Sequence, residues 1–289
     1  MTRIAIAAGL ANPILSPSNQ ALAEALIAEG AEVETLLWNR DGDAAFLATD
    51  LTLLRQTWDY QRDLAAYAAW IGRLSARGAR IDADPRLALW NNDKRTLAEV
   101  TEAGVETPAM ASADGAKGAD LAAALGPRFV LKPAVGGSGY GVVAADAASI
   151  NDQLAEAWTE APGRPFIAQT FLPEIAAGEW KVMCVAGAPA FAVRAAPAAG
   201  EFRINSRFAP TIEVAEAPAP AWEAAERILH WLRVRFGQVP LAVRVDGVMR
   251  GDVFICTELE MTDPDMFLNL RPAAAQRLAK AAIALAEGA

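Results

Sequence analysis

Strand-like and helix-like segments alternate through the first ninety residues, and this alternation leaves few folds open to the N-terminal part of the chain. Arg3 to Ala8 is a short apolar run of strand length. Ser16-Pro17-Ser18 then caps a helix that runs to about Glu29 and ends at Gly30. Val33 to Trp38 and Asp50 to Leu54 read as the next two strands, and a helix with aromatic anchors covers Leu64 to about Ala76. Repeated strand–helix–strand units imply a parallel sheet with helices on both faces and a ligand site at the strand ends. The loop after the first strand, Gly9-Leu-Ala-Asn12-Pro13, lacks G-x-G-x-x-G, so a dinucleotide site of the Rossmann type has no support.

From Arg80 to Pro108 the pattern is strand, turn and helix, with Gly104 and Pro108 as stop signals. A smaller α/β segment lies between Ser112 and Ala168, around Arg128-Phe-Val-Leu-Lys-Pro133. Strands then dominate: Trp180 to Val185, Ala190 to Arg194, Leu241 to Val248 and Val253 to Glu260. A helix from Trp222 to Phe236 interrupts them, and another from Ala273 to Glu287 follows. At 289 residues with 53% apolar composition, the chain has material for two cores, or for one α/β core with an inserted lid. Its net charge of −9 argues against nucleic acid and anionic membranes as partners. Cys184 and Cys256, far apart in apolar strands, suit a reduced cytoplasmic protein. The apolar N-terminus is too short for a signal peptide and is needed as a strand.

His230, the only histidine, reads as a helix-surface residue, so neither a Ser-His-Asp nor a Cys-His system is expected, nor a multi-His metal centre. Chemistry must rest on Arg, Lys, carboxylates and a metal, the kit of phosphoryl transfer. Four segments offer it. Val130-Leu-Lys132-Pro133 runs into Gly136-Gly137-Ser138-Gly139-Tyr-Gly141, which can close backbone N–H groups over phosphates while the lysine neutralises charge. A glycine hairpin beside a surface lysine has the same composition. Asn91-Asn92-Asp93-Lys94-Arg95-Thr96 opens a helix with Asp93 as cap and Lys94 near its anion-attracting end, or is a solvated cationic helix start. Arg244-Val-Asp246 and Glu258-Leu-Glu260 place an arginine and three acids on the like faces of two strands. Oxygen-only ligation suits Mg2+, whereas an exposed salt-bridged sheet face is the competing explanation. Phe202-Arg203-Ile-Asn205-Ser-Arg207 carries donors suited to phosphate or carboxylate, as a polar edge strand also does.

In this order, the motifs resemble the ATP-grasp superfamily of carboxylate–amine ligases, near its glutathione-synthetase-like and ribosomal-protein-modifying branches, over about Trp90 to Leu268. The resemblance implies an α/β ATP-grasp fold: an N-terminal parallel βαβ substrate domain (1–92), a small α/β lid (93–168) and a C-terminal antiparallel-sheet catalytic domain (169–289). It implies that ATP is held by Lys94, Lys132, the Gly136–Gly139 flap with Ser138, a hinge at Gln169, Phe171 and Leu172, the acid Glu179, and Asn205. It implies Mg2+ on Asp246, Glu258 and Glu260, with Arg244 and Arg203 as catalytic arginines. Glu260 stands where the superfamily commonly has Asn, and Lys181 where Arg is frequent.

Arg55-Gln-Thr-Trp58-Asp59-Tyr60, with Asp263-Pro264 and Phe267-Leu, is similar to the group containing the D-cycloserine-forming cyclo-ligase, which closes O-ureidoserine. That likeness implies that Arg55, Trp58, Asp59 and Tyr60 hold an amino-acid-like substrate, although a helix N-cap with buried aromatics fits the same residues. The expected activity is ADP-forming C–N ligation through an acyl phosphate, on a small molecule, in a cytoplasmic protein and possible homodimer. A peptide-modifying ligase and a non-catalytic nucleotide-binding regulator are the alternatives.

Overall fold

The computed structural model describes residues 1–288 and arranges them around three sheets. In the first, β1 (Arg3–Ala8) lies between β2 (Glu32–Leu37) and β3 (Leu51–Gln56), all parallel. Helix α1 (Pro17–Ala28) starts where the sequence places it: the Ser16 hydroxyl accepts from Asn19 N at 3.3 Å, and Pro17 has no N–H to satisfy. A short α2 (Asp43–Leu47) precedes β3, and Asp63 caps α3 (Leu64–Ala76) by accepting from Ala66 N at 2.9 Å. Strand alternation sorts the two faces. Ile4, Ile6, Leu51 and Leu53 pack against α1, and Ala5 and Ala7 against Phe46, Tyr67 and Trp70 of α2 and α3.

The strand expected near Arg80 is reduced to one bridge, Ile81 to Thr52. Asp84 then caps α4 (Pro85–Asn91), and Lys94–Ala103 forms a 3-10 helix that Gly104 ends in the left-handed region. The second sheet, order β4-β7-β5-β6, is antiparallel throughout. It comprises β4 (Met110–Ser112), β5 (Arg128–Pro133), β6 (Val143–Asp146) and β7 (Phe166–Thr170). Its helices α5 (Gly118–Leu125) and α6 (Ile150–Glu160) share a core with Phe129, Leu131 and Phe166.

The third sheet is also antiparallel, in the order β10-β9-β8-β11-β12. Its strands are β8 (Glu179–Val185), β9 (Ala188–Ala196), β10 (Thr211–Val214), β11 (Ala242–Arg250) and β12 (Val253–Glu260). Helix α7 (Ala219–Phe236) covers one face, burying Ile228 and Leu232 against Val182, Cys184, Val243 and Val245. Each such aliphatic side chain contributes about 1.5–3 kcal/mol on burial. The opposite face, carrying Met183, Val185 and Ala242, packs with α1 and with α8 (Pro272–Glu287), whose other neighbours are β1 and β3. Helices α1 and α8 therefore lie between the parallel sheet and the third sheet. Past their ends the two sheets face each other across a space lined by polar residues.

Candidate active site

Alternation on β11 fixes which side chains enter that space. Val243 and Val245 face α7, so Arg244 and Asp246 face the other way, beside Lys181 of β8. Strand β12 needs a further device. Phe254 and Cys256 face α7, and strict alternation would send Glu258 there too. A β-bulge shifts the register at Asp246/Gly247, leaving Thr257 as the extra residue and setting Glu258 opposite Asp246 and Glu260 opposite Arg244. Gly247 is required at the bulge, because a Cβ there would lie 2.4 Å from Ile255 O.

The acids converge: one oxygen from each of Asp246, Glu258 and Glu260 lies within 4.8 Å of the others. Arg244 Nε and Nη2 each donate to Asp246 at 2.8 Å, and Nη2 also reaches Glu260 at 2.6 Å. Lys181 Nζ donates at 2.6 Å both to Asp246 and to Glu179, whose other oxygen accepts from Thr257 at 2.6 Å. Lys94 pairs with Glu258. Glu179, Asp246, Glu258 and Glu260 thus confront Lys94, Lys132, Lys181 and Arg244, a charge-balanced group. Burial disfavours the Glu258 carboxylate, but Lys94 and Lys132 outweigh it and hold this carboxyl well below its usual range. Glu260 is shifted the opposite way, raised by burial and, despite Arg244, by the Glu258 and Asp246 charges.

Lys132 is the cation of this group without a carboxylate in salt-bridge range among the described residues. Burial, then the neighbouring Lys94 charge, pushes its ammonium down to about 8. It sits beneath the glycine loop, on the wall of a cavity of about 560 Å³. The loop is packed down: Ser138 and Gly139 have positive φ, and a Cβ on Gly139 would meet Asn205 Oδ1 at 2.6 Å. Opposite, the cavity is walled by Trp58, Asp59 and Tyr60 from the end of the parallel sheet. The oxygen-rich acid cluster fits a hard divalent cation, and an unpaired lysine under a loop of free backbone N–H groups fits phosphate.

Comparison with known proteins agrees with this geometry. Residues 4–82 match the family model for the N-terminal domain of D-cycloserine synthetase DcsG, and residues 102–240 that for the ATP-grasp domain of prokaryotic glutathione synthetase. The crystal structure of D-cycloserine synthetase DcsG superposes with a TM-score of 0.85 at 22% identity, over 99% of both chains. The fold is that of the ATP-grasp proteins. D-alanine–D-alanine ligase from Bacillus anthracis shares the fold of this ATP-grasp protein at a TM-score of 0.73 and 19% identity, over 100% of this chain and 98% of the other. Glutathione synthetase of Parasynechococcus marenigrum (strain WH8102) is 32% identical over 125 residues, 43% of this chain and 40% of its own. That of Agrobacterium fabrum (strain C58 / ATCC 33970) is 32% identical over 144 residues, 50% and 43%. The ATP-grasp protein thus spans about two-fifths of the length of the curated relatives it matches. No helix among its described residues is long and apolar enough to cross a membrane.

The structure gathers much of the expected residue set around one cavity. Lys94, Lys132, Gly136, Gly137, Ser138 and Gly139 line it, with Asn205 from the facing segment. Arg244, Glu258 and Glu260 form its floor, with Asp246 sealed below at 0% exposure. As expected, Lys94 opens a helix that Asp93 caps, accepting from Arg95 N at 2.9 Å. Its stretch is 3-10, its backbone N donates to Ala134 O at 2.8 Å, and its ammonium turns to Glu258.

Other expected residues lie elsewhere. Arg55 is 1% exposed and turned from the cavity, between Asp82 at 3.1 Å and Thr262 O at 3.3 Å, so its expected grip on a substrate carboxylate is corrected to an internal ion pair. Asp59 is committed to Trp38 Nε1 at 2.7 Å, Asn39 Nδ2 at 2.9 Å and Ala11 N at 3.1 Å, leaving little of it for an ammonium. Arg203 points away from the acid cluster. It binds Glu201 at 2.7 Å, stacks 3.8 Å from the Phe208 ring centre and donates to Val142 O at 3.1 Å. Gln169, Phe171, Leu172 and Glu179 are absent from the cavity wall: Phe171 N donates to Arg128 O at 3.2 Å, and Arg128 covers the Phe171 ring at 4.0 Å.

Sequence reasoning passed over Thr257 and quoted Asn91, Asp263 and Arg207 within its motifs without the contacts that the structure gives them. Asn91 binds Leu259 O at 2.7 Å and Met261 N at 2.8 Å, extending the edge of β12. Thr257 orients Glu179, Asp263 accepts from Thr57 at 3.0 Å, and Arg207 reaches the cavity beside the glycine loop. Only Gly247 in the sequence hints at the bulge that exposes Thr257.

Proposed function

We propose that this ATP-grasp protein is a Mg·ATP-dependent, ADP-forming C–N ligase that activates a carboxylate as an acyl phosphate. Its substrate is a small amino-acid-like molecule. The juxtaposition that carries this reading is unpaired Lys132 under a glycine loop, facing three converging carboxylates and Arg244 within one cavity. A nucleotide-binding regulator has use for the first half of that arrangement but not the second. The cavity volume of about 560 Å³ favours a small substrate over a peptide. Support for an amino-acid-like substrate comes from the likeness to D-cycloserine synthetase and D-alanine–D-alanine ligase.

In this reading Lys132 and Lys94 neutralise nucleotide phosphates, and the N–H groups of Gly136 to Gly139 cover them. Glu258 and Glu260, backed by Asp246, would hold Mg2+, which lowers the cost of charge spreading over the transferred phosphoryl group. Arg244 stands over the same acids. Its Nη1 gives one hydrogen bond, to Asp265 O at 3.0 Å, and keeps a second hydrogen for an oxyanion at the attacked carbonyl. Lys181 neutralises Asp246 and Glu179 from below, so Arg244 keeps its orientation. Ring closure within one substrate and joining of two substrates both use these parts.

The test is ADP release from Mg·ATP with a panel of amino-acid-like carboxylates, with and without added amines. Carboxylate-dependent release that Glu258→Gln abolishes supports the ligase, and release without an added amine supports ring closure. Nucleotide binding without stimulation by any carboxylate would sink the reading.

A further inference from the structure

Around the acid cluster the carboxylates and cations balance, and Arg55 is spent on Asp82. Asp263, on the loop after β12, is left over. It lines the cavity, yet no cation among the described residues lies in salt-bridge range of it, because the nearby arginines are committed to Asp82, Asp246 and Glu260. The residue is half-buried, and burial disfavours its charge. Such a carboxylate stays uncompensated until a cation arrives.

Two buried hydroxyls aim it. Oδ2 can only accept, so Thr57 Oγ1 donates to it at 3.0 Å, and the Tyr67 hydroxyl in turn donates to Thr57 at 3.0 Å. Thr57 and Tyr67 are both 0% exposed. Trp58 Nε1 fixes the backbone by donating to Asp263 O at 2.8 Å. The other oxygen, Oδ1, takes no hydrogen bond from the described residues and stays accessible on the cavity wall. The Tyr60 hydroxyl is likewise unpartnered and accessible, close enough for the Asp263 charge to act on it.

The missing partner is a cation with more than one donor. A divalent metal takes about six oxygens, and Asp263 stands outside the converging trio of acids. An ammonium has three N–H donors, which one carboxylate oxygen, a phenol oxygen and an aromatic wall can satisfy. The neighbouring acids are less free. Asp59 is taken by Trp38, Asn39 and Ala11, and Asp265 turns one oxygen to Phe267 N at 3.1 Å in its own loop. Arg244 grips that loop at Asp265 O, two residues from Asp263 and so within about 7 Å along the backbone. A carboxylate near Arg244 and an ammonium at Asp263 are thus separated by the span of one small amino acid.

We propose that Asp263 Oδ1 binds the ammonium of the substrate whose carboxylate is activated, with the Tyr60 hydroxyl as a second acceptor; this rests on the ligase reading and narrows its substrate to zwitterions. Asp263→Asn keeps the shape and removes the charge. It is tested above the carboxyl's value of about 6, with the amino acid that wild type turns over and with the same acid lacking the amino group as a competitive inhibitor. For the variant, kcat/KM for the amino acid is expected to fall roughly 10- to 100-fold, the loss of one charge-assisted hydrogen bond. The inhibition constant of the des-amino acid is expected to stay within about threefold of wild type, and Mg·ADP affinity by calorimetry within about twofold. The melting temperature is expected to stay at or above that of wild type, since the uncompensated charge is gone.

An amino-acid kcat/KM matching wild type overturns the assignment, as does an equal loss for the des-amino inhibitor or for Mg·ADP. A wild type that activates des-amino acids as well as amino acids overturns it too. Should the asparagine variant not fold, Asp263→Ser supplies the same comparison. If no carboxylate drives ADP release by wild type, the ligase reading fails and the assignment with it, whereas an active wild type matched by its variant sinks the assignment alone.

Discussion

Arg55 shows how far one residue's role depends on its surroundings. At the C-terminal end of a parallel strand, an arginine next to Trp58, Asp59 and Tyr60 invites a substrate role, but its side chain passes into the protein to Asp82. Burial raises the Asp82 carboxyl, and the Arg55 charge opposes that rise. Removing one partner of such a pair leaves the other charge uncompensated, so Arg55→Leu should cost about 3–5 kcal/mol in denaturant unfolding. The double variant Arg55→Leu/Asp82→Leu should recover most of the loss, with KM for the carboxylate unchanged in the refolded protein. A raised KM with unchanged stability would restore the substrate role. Lys132 is the reverse case, since the glycine loop after it marks it in the sequence and the structure leaves it unpaired.

Between elements, the segment after β9 is clasped to the glycine loop. Arg207 binds Glu160 at 2.9 Å and lies 4.0 Å from the Tyr140 ring centre, while Glu160 also accepts from Gly141 N at 2.8 Å. Arg203 adds its bond to Val142 O from the same side. These contacts join the second sheet to the third across the cavity mouth, where few apolar side chains hold the loop. Amide exchange at Tyr140 to Val142 should therefore speed up about tenfold in Arg207→Ala, with KM for ATP rising severalfold. Exchange at wild-type rates would show that the loop is held by its own turns.

At the scale of the molecule, the parallel sheet and the third sheet meet twice: through α1 and α8, and through the loop after β12. That loop is gripped by Thr57 on Asp263, by Trp58 Nε1 on Asp263 O at 2.8 Å, by Arg55 on Thr262 O, and by Arg244 on Asp265 O. Burial, against the Thr57 hydrogen bond, pushes the Asp263 carboxyl up to about 6 from an ordinary value of 3.8. A carboxyl raised on folding contributes stability that is fully present below the unfolded value and lost as pH rises through the folded one. Wild type should thus lose up to about 2–3 kcal/mol relative to Asp263→Asn between roughly pH 4 and pH 6. Melting temperatures of the two proteins across that range check it, and parallel curves would show that Asp263 is ionised throughout.

The sequence by itself determined the elements and the kinds of chemistry available. Apolar period two and period 3.6, with Ser16 and Asp63 as caps, set the strands and helices of the first sheet close to where they lie. A single histidine and the Arg244, Asp246, Glu258 and Glu260 set left acid, arginine and metal as the means. What the tertiary structure decided was direction and pairing. The bulge at Gly247 reverses which residues of β12 face the cavity, and no residue count reveals a one-residue slip. Arg55 turns inward because Asp82, 27 positions along the chain, returns beside it. Local periodicity is written in neighbouring residues, whereas burial and hydrogen-bond completion depend on segments that meet only when the chain has folded.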